Sequence, residues 1–514
     1  MVVSDKPPID VRAAVQDLLT YPYGCGEQLT STSYPHVFID EDAARKFGLK
    51  PFTREQRVEM LDRAVSKLGA MQAPNGGFSL WGNASEYEYW LSAYITNFLM
   101  DAREQGFPVP DSMYRQAMDF LLRGLQEGVS RLPSTVAAVP AGGGEIFRDR
   151  DNGRFDVLAY GAYVLARDRR APLASLRQLN DSRAQAQSGL PLVELGVALN
   201  LMGDNTRGSA TITEGVRKSR GTGYWWYDYG TVLRDAALSY ALLDRHGITA
   251  EGRENLLSVI AAEMEKNRYY STQEKMALFL VGRSLSAGSG SWTASLGAGG
   301  KPEQLSQKGT YFRTLSPAEL AAGVKVGNTS GGPLYVELSL SGNPTQQPPA
   351  RSDVIEVSRT MYTPDGRVVS GRPLRTGETV IVHITARSRS EIGNGLVVDR
   401  IPAGLEIENL NIVSGEQMGT VTIAGMNPAE VMGNSHIKHV EFRDDRFVAA
   451  VRLDASYFPN RINDTATLHL FYRARVVTPG EFVVPPVYAE DMYRPNIFGL
   501  SGGSEMLTVV DAGL

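Results

Sequence analysis

One cysteine occurs in the 514 residues, inside Tyr21-Pro-Tyr-Gly-Cys-Gly-Glu-Gln28. Cys25 stands three positions before Gln28, with Gly24 and Gly26 on either side of it. That spacing suits an intrachain thioester. The Cys25 sulfur bonds to the side-chain acyl carbon of Gln28, and one ammonia leaves. Glycine takes backbone angles that other residues resist, so Gly24 and Gly26 are expected to let the two side chains meet. A thioester is an activated acyl group with a thiolate that leaves readily. An amine that attacks the Gln28 carbon becomes an amide and frees Cys25. Water attacks the same bond slowly, so the group must be kept dry, and Tyr21 and Tyr23 flank the turn and could cover it. Glu27 has no evident part in the bond and reads as a solvated or hydrogen-bonded carboxylate. The plain alternative for a lone cysteine is a small buried hydrophobe.

Other chemistries fit less well. A cysteine hydrolase needs a base beside the thiolate. The histidines are His36, His246, His383, His436, His439 and His469. His36 is near in sequence, but no cysteine-protease signature surrounds Cys25. His436 and His439 supply only two ligands, too few for a structural metal site. Gly297-Ala-Gly-Gly-Lys-Pro302 puts Pro302 where a phosphate-binding loop needs a hydroxyl. Gln72-Ala-Pro-Asn-Gly-Gly-Phe78 is similar to turns of toroid enzymes such as terpene cyclases and prenyltransferases. Asp149-Arg-Asp-Asn152 nearly matches a cyclase aspartate cluster, though it also reads as a solvated turn. A prenyltransferase zinc site would have Cys25 as its sole thiol. The cysteine hydrolase and the toroid enzyme stand as the alternatives, and no cofactor or metal is expected.

The elements that must position Cys25 and Gln28 are helical. The length suggests about three domains. Hydrophobic residues make up 42% and charged residues 21%, enough to fill sizeable cores, and the net charge of -5 carries no basic footprint for nucleic acid. No stretch is long and apolar enough for a membrane span, and the start does not read as a signal peptide. With one cysteine, no internal disulfide can form. Apolar spacing predicts helices over Glu55–Met71, Tyr89–Ala102, Met113–Leu125, Val157–Ala166, Leu190–Met202, Thr231–Leu243, Glu254–Lys266 and Thr272–Ser286. Gly77-Phe-Ser-Leu-Trp81 and Gly223-Tyr-Trp-Trp-Tyr227 each precede an aromatic helix, a weak internal repeat. Repeated helix pairs bury one face on the next pair, and an even number can close into an alpha/alpha toroid. Trp81, Trp90 and Tyr224–Tyr227 read as its core. The turn at Cys25 is placed near the start of an early helix.

After Ala287 the pattern alternates. Leu334–Leu340, Thr379–Thr385, Lys438–Phe442, Phe447–Leu453 and Thr465–Phe471 read as strands, with Asp444-Asp445 as a hairpin tip. The stretch Asn343–Ala350 marks a boundary. The last third is predicted to be an antiparallel sandwich.

YPYGCGEQLTS resembles the thioester segment of the alpha-2-macroglobulin and complement family, its bacterial members in particular. Val398–Glu406 and Pro485–Arg494 resemble strings of that family's terminal sandwich. The resemblance implies a multidomain α + β chain: an alpha/alpha toroid thioester domain over 1–288, a CUB-like β portion over 289–348 and a macroglobulin-like antiparallel β-sandwich over 349–514. It further implies a protease inhibitor rather than an enzyme. A target endopeptidase would be captured through a lysine on a single-use Cys25–Gln28 thioester. The terminal sandwich would shield that bond with Met492 and Tyr493. Complement-like relatives route the acyl group through a downstream histidine. None occurs between His36 and His246, so direct attack by lysine is expected. By resemblance the chain is a portion of a longer protein with N-terminal macroglobulin domains and a bait region. It would serve bacterial defence in the periplasm, lipid-anchored through its distant N-terminus.

Overall fold

The computed structural model describes residues 1–6, 11–20, 24–46, 49–83, 86–130, 132, 154–221, 228–267, 269–287, 290–340, 342, 347–369, 371–408, 421–454, 467–503 and 506–512. Tyr21, Tyr23, Asp149–Asn152 and Gly223–Tyr227 lie outside the described residues. Contacts divide the chain into two units, Met1–Leu340 and Ser341–Leu514.

In the first unit a short strand, β1 (Val2–Ser4), precedes the helices α1 (Val11–Thr20), α2 (Gly26–Phe38), α3 (Glu41–Lys46), α4 (Arg54–Ala70), α5 (Tyr89–Glu104) and α6 (Asp111–Ser130). A two-residue hairpin, β2 (Phe78–Ser79) with β3 (Tyr87–Glu88), lies between α4 and α5. The helices continue with α7 (Arg154–Arg167), α8 (Leu173–Asp181), α9 (Gly189–Leu201), α10 (Asn205–Arg217), α11 (Val232–Arg245), α12 (Asn255–Lys266) and α13 (Thr272–Ala287).

Two kinds of helix alternate. α5, α7 and α9 are buried along most of their length, whereas α6, α8 and α10 bury one stripe. A helix that is apolar all round must be enclosed, and one with a single apolar stripe faces water. The inner helices touch in succession, α2 to α5, α5 to α7, α7 to α9, α9 to α11 and α11 to α13, and α13 returns to α2. This is a closed ring of inner helices with an outer layer. α9 and α10 cross backbone to backbone. A Cβ at Gly196 would fall 2.7 Å from the Gly208 carbonyl oxygen, so no larger residue fits that crossing.

The chain leaves the ring into β4 (Ser291–Ala298), β5 (Glu303–Lys308), β6 (Tyr311–Phe312), the one-turn helix α14 (Pro317–Ala321), β7 (Val324–Asn328) and β8 (Tyr335–Glu337). The strand order is β5-β4-β7 in one sheet and β6-β1-β8 in the other. β1 therefore belongs with strands that follow the ring, and Val3 packs with Trp292, Ala294, Leu296 and Leu305. The Gly290 N–H donates to Asp5 Oδ2 at 2.8 Å, so the ring's entry and exit lie together.

The second unit is an antiparallel sandwich. Its strands are β9 (Ile355–Tyr362), β10 (Leu374–Arg375), β11 (Thr379–Ser388), β12 (Ile392–Arg400), β13 (Leu405–Ile407), β14 (Ile437–Phe442), β15 (Arg446–Leu453), β16 (Leu468–Val476), β17 (Gly480–Val483), β18 (Tyr488–Asp491), β19 (Arg494–Leu500) and β20 (Met506–Val510), with the helix α15 (Pro428–Met432) before β14. The main sheets run β13-β16-β11-β9 and β14-β15-β12-β18-β19. Their inner faces meet on Ile384, Val397, Phe447, Val451, Leu470 and Tyr472. Alternate residues of each strand enter this core, the period-two pattern of paired sheets. Asp399 ties the sheets together, accepting from Tyr472 Oη at 2.7 Å and pairing with Arg359.

Candidate functional site

Cys25 is the N-cap of α2, with φ −65° and ψ 165°. Its sulfur accepts the Gln28 backbone N–H at 3.4 Å. Gln28 Oε1 folds back to accept the Cys25 N–H, also at 3.4 Å. This is a reciprocal capping box in which sulfur replaces the usual hydroxyl. Residues three apart on a helix share a face, so the box holds both side chains over one turn. Cys25, Glu27 and Gln28 are all 0% exposed. The N–H groups of the first helical turn favour negative charge. A sulfur leaving as thiolate would find a donor already in place at the Gln28 N–H.

Gly24 and Gly26 do not have the unusual backbone angles expected from the sequence. Neither has a positive φ. Gly26 is needed for proximity instead: a Cβ there would sit 3.1 Å from the Ser79 carbonyl oxygen and 3.4 Å from Met71 Sδ. Its N–H donates to the Leu80 oxygen at 2.8 Å, which pins the turn to the β2 hairpin. Gly24 has open space around it.

Glu27 is not solvated. Its carboxylate accepts from Ser31 Oγ at 2.5 Å, Gln273 Nε2 at 2.7 Å and Thr272 Oγ1 at 2.8 Å. It thus clamps the first turn of α2 to the first turn of α13. Ser31 Oγ also lies 2.8 Å from Tyr94 Oη on α5. Burial pushes the Tyr94 phenol well above its ordinary pKa, and the neighbouring Glu27 charge adds to that.

Sequence reasoning missed Tyr229 and Glu88. Tyr229 has a left-handed backbone (φ 53°) and is 2% exposed. Its hydroxyl donates to Glu88 Oε2 at 2.7 Å, and its ring centroid is 4.9 Å from that of Trp90. Its phenol is held well above its ordinary pKa, first by burial, then by Glu88, and in smaller part by Cys25 and Glu27. The aromatic run just before Tyr229 was the available signal; nothing local marks Glu88.

Met492 and Tyr493 belong to the second unit, at the turn between β18 and β19. Both are buried. Asp491 Oδ1 accepts the N–H groups of Tyr493 and Arg494, and the Met492 N–H donates to Asn394 O at 3.0 Å. His36 lies eleven residues after Cys25, roughly 16 Å along α2. Burial and then Arg57 lower its pKa to about 4. His246 caps α11 and contacts Tyr163 Oη at 3.1 Å. Among the described residues no group of His, Cys, Asp and Glu is arranged to hold a metal ion, and no helix is long and apolar enough to cross a membrane.

Comparison with known proteins gives a consistent result along the chain. Residues 4–144 match the family model for the A-macroglobulin TED domain, 290–354 that for the A2MG CUB domain, and 355–496 that for the bacterial alpha-2-macroglobulin MG10 domain. The alpha-2-macroglobulin of Escherichia coli is 36% identical over 520 residues, which cover 99% of this chain and 30% of that protein. The chain therefore spans under a third of that relative's length. The crystal structure of the native E. coli protein from domain MG7 to its C-terminus is 34% identical, covering 99% of this chain and 76% of that one, with a TM-score of 0.86. Salmonella alpha-2-macroglobulin reacted with methylamine is 34% identical, covering 99% of this chain and 31% of that one, with a TM-score of 0.83. The E. coli protein in a trypsin-activated form is 35% identical, covering 99% and 33%, with a TM-score of 0.50.

Proposed function

Because this chain belongs to the alpha-2-macroglobulin family, of which it carries a C-terminal portion, we propose that it is the acylating part of a covalent protease trap. The observation that carries this reading is the buried capping box, in which Cys25 sulfur and the Gln28 side chain share one turn. In the charged state the Cys25 sulfur is bonded to the Gln28 acyl carbon, ammonia having left. Cleavage of a bait region elsewhere in the full protein exposes this bond. A lysine amine of the protease attacks the acyl carbon, the carbon–sulfur bond breaks, and Cys25 takes up the proton as a thiol. The product is an amide between Gln28 and the protease. The methylamine-reacted and trypsin-activated relatives support an amine nucleophile and a protease target.

In this reading Tyr21, Tyr23, Met492 and Tyr493 keep water from the bond, and Tyr229 closes its inner side. The Cys25 N–H that holds Gln28 Oε1 polarises the acyl oxygen as the amine adds. The proposed partners are endopeptidases and the N-terminal macroglobulin domains of the same protein. The proposed location is the periplasm, with a lipid anchor on the distant N-terminus.

Intact mass tests the proposal. Freshly prepared full-length protein should be lighter than its sequence by one ammonia. Methylamine should add its own mass to that species, leaving it heavier than the sequence by one methylene, and release one thiol. Cys25→Ala and Gln28→Ala should each abolish protease conjugation while leaving circular dichroism unchanged. Continued conjugation by either variant, or an unmodified Gln28 with a reactive Cys25 in untreated protein, would overturn the trap.

A further inference from the structure

The axis of the helical ring holds a cavity of about 360 Å³, lined by residues of all the inner helices from α2 to α13. Its wall is a continuous aromatic surface. Tyr34 and Tyr94 centroids are 5.8 Å apart, Tyr94 and Trp90 5.2 Å, and Trp90 and Tyr160 5.9 Å. The charges nearby are mostly committed to one another. Arg234 is bound by Asp228 and Asp235, Arg245 by Asp101 and Glu104, and Asp244 by Arg253.

Glu194 differs. It lines the cavity from the middle of α9, is 6% exposed, and makes no hydrogen bond or ion pair with the described residues. A carboxyl placed so deep without a partner is costly, and an apolar residue would fill the position more cheaply. Burial pushes its pKa well up; Arg234 opposes this, and Asp235, Asp156 and Asp228 add to it. Arg283 also lines the cavity, but it is exposed and stacks over Phe38 at 4.1 Å, so solvent screens it.

A pocket with π faces on its walls and one uncommitted carboxyl at depth has a definite complement. The ring faces attract cations, most strongly where water is excluded, and an ammonium would give Glu194 its missing partner. We propose that the cavity is a binding site for a small organic ammonium ion, seated between Glu194 and the faces of Trp90, Tyr94 and Tyr160. The site is separate from Cys25 and Gln28 and does not depend on acyl transfer.

Tetramethylammonium is the probe, because it has no N–H and cannot be acylated. Titrated calorimetrically into the full chain against sodium chloride of equal ionic strength, it should bind saturably at one site. Glu194→Gln should weaken that binding by roughly ten-fold or more, and Arg283→Gln should not weaken it. If Glu194→Gln does not fold, Tyr160→Leu should show the same loss. Absence of saturable binding, which would mean solvent alone fills the cavity, overturns the proposal. So does unchanged affinity in a folded Glu194→Gln or Tyr160→Leu variant. Binding of acetate that Arg283→Gln removes, in place of the cation, also overturns it.

Discussion

At Asp156 a buried carboxyl contributes to the pH dependence of the ring's stability. Its Oδ1 accepts the Gln187 N–H at 3.1 Å, and its buried Oδ2 has no hydrogen-bond partner among the described residues. Burial raises its pKa well above the usual carboxylate range, and the nearby Asp228 adds to that. In the unfolded chain the same group ionises near pH ~3.9. A carboxyl whose folded pKa is raised contributes fully below its unfolded pKa, and that contribution is lost as pH rises from there through the folded pKa. Asp156→Asn cannot ionise and keeps an acceptor for Gln187. It should stabilise the ring at pH 7 by about 1–3 kcal/mol and give no gain below pH ~3.5. Urea melts at the two pH values would check this, and an equal effect at both would contradict it. The shared turn of Cys25 and Gln28 was legible in the sequence because a spacing of three is local and places both side chains on one helical turn. Glu27 was not, because its partners Thr272 and Gln273 lie some 245 residues away. Tyr229 was hidden for the same reason.

Long helices rich in apolar residues were read to within a few residues. Glu55–Met71 is α4 and Leu190–Met202 is α9. α8 and α10 were missed. α10 reads Asn-Thr-Arg-Gly-Ser-Ala-Thr-Ile-Thr-Glu-Gly-Val-Arg, weak in helix formers. It forms because Gly208 and Gly215 let it lie against the backbone of α9. Tertiary contact, not propensity, makes that helix. Leu334–Leu340 was read as one strand, but only Tyr335–Glu337 pairs, and Leu338 and Leu340 are exposed. Between elements, the Glu27 clamp joins α2 to α13 and so completes the ring. Glu27→Ala would remove the acceptor of Thr272 Oγ1 and the nearer of the two acceptors of Gln273 Nε2 in the interior. It should destabilise the ring by about 3 kcal/mol in urea unfolding. A loss below 1 kcal/mol would mean that apolar packing alone holds those helices together.

The whole chain holds more than one core. The sandwich has its own, built on residues such as Val382, Phe447 and Leu470, and the strands around Val3 and Trp292 have a smaller one. A unit with a separate core can fold alone. A fragment spanning 349–514 should therefore unfold cooperatively, at a temperature close to one transition in the calorimetric scan of the full chain. A scan with a single transition, together with an unfolded fragment, would count against this. The multidomain plan was readable from composition, because helical periodicity gives way to alternation after Ala287. The pairing of β1 with β6 and β8 was not, since three residues carry no periodic signal.

That pairing has a mechanical consequence. The helical ring hangs as a side loop from the body made by β1, β4 and β8, with Asp5 and Gly290 at its neck. Tension applied along the polypeptide meets the β1–β8 pairing first and bypasses the helices until those strands part. A single molecule pulled from its two ends should therefore yield at the neck before the loop spools out.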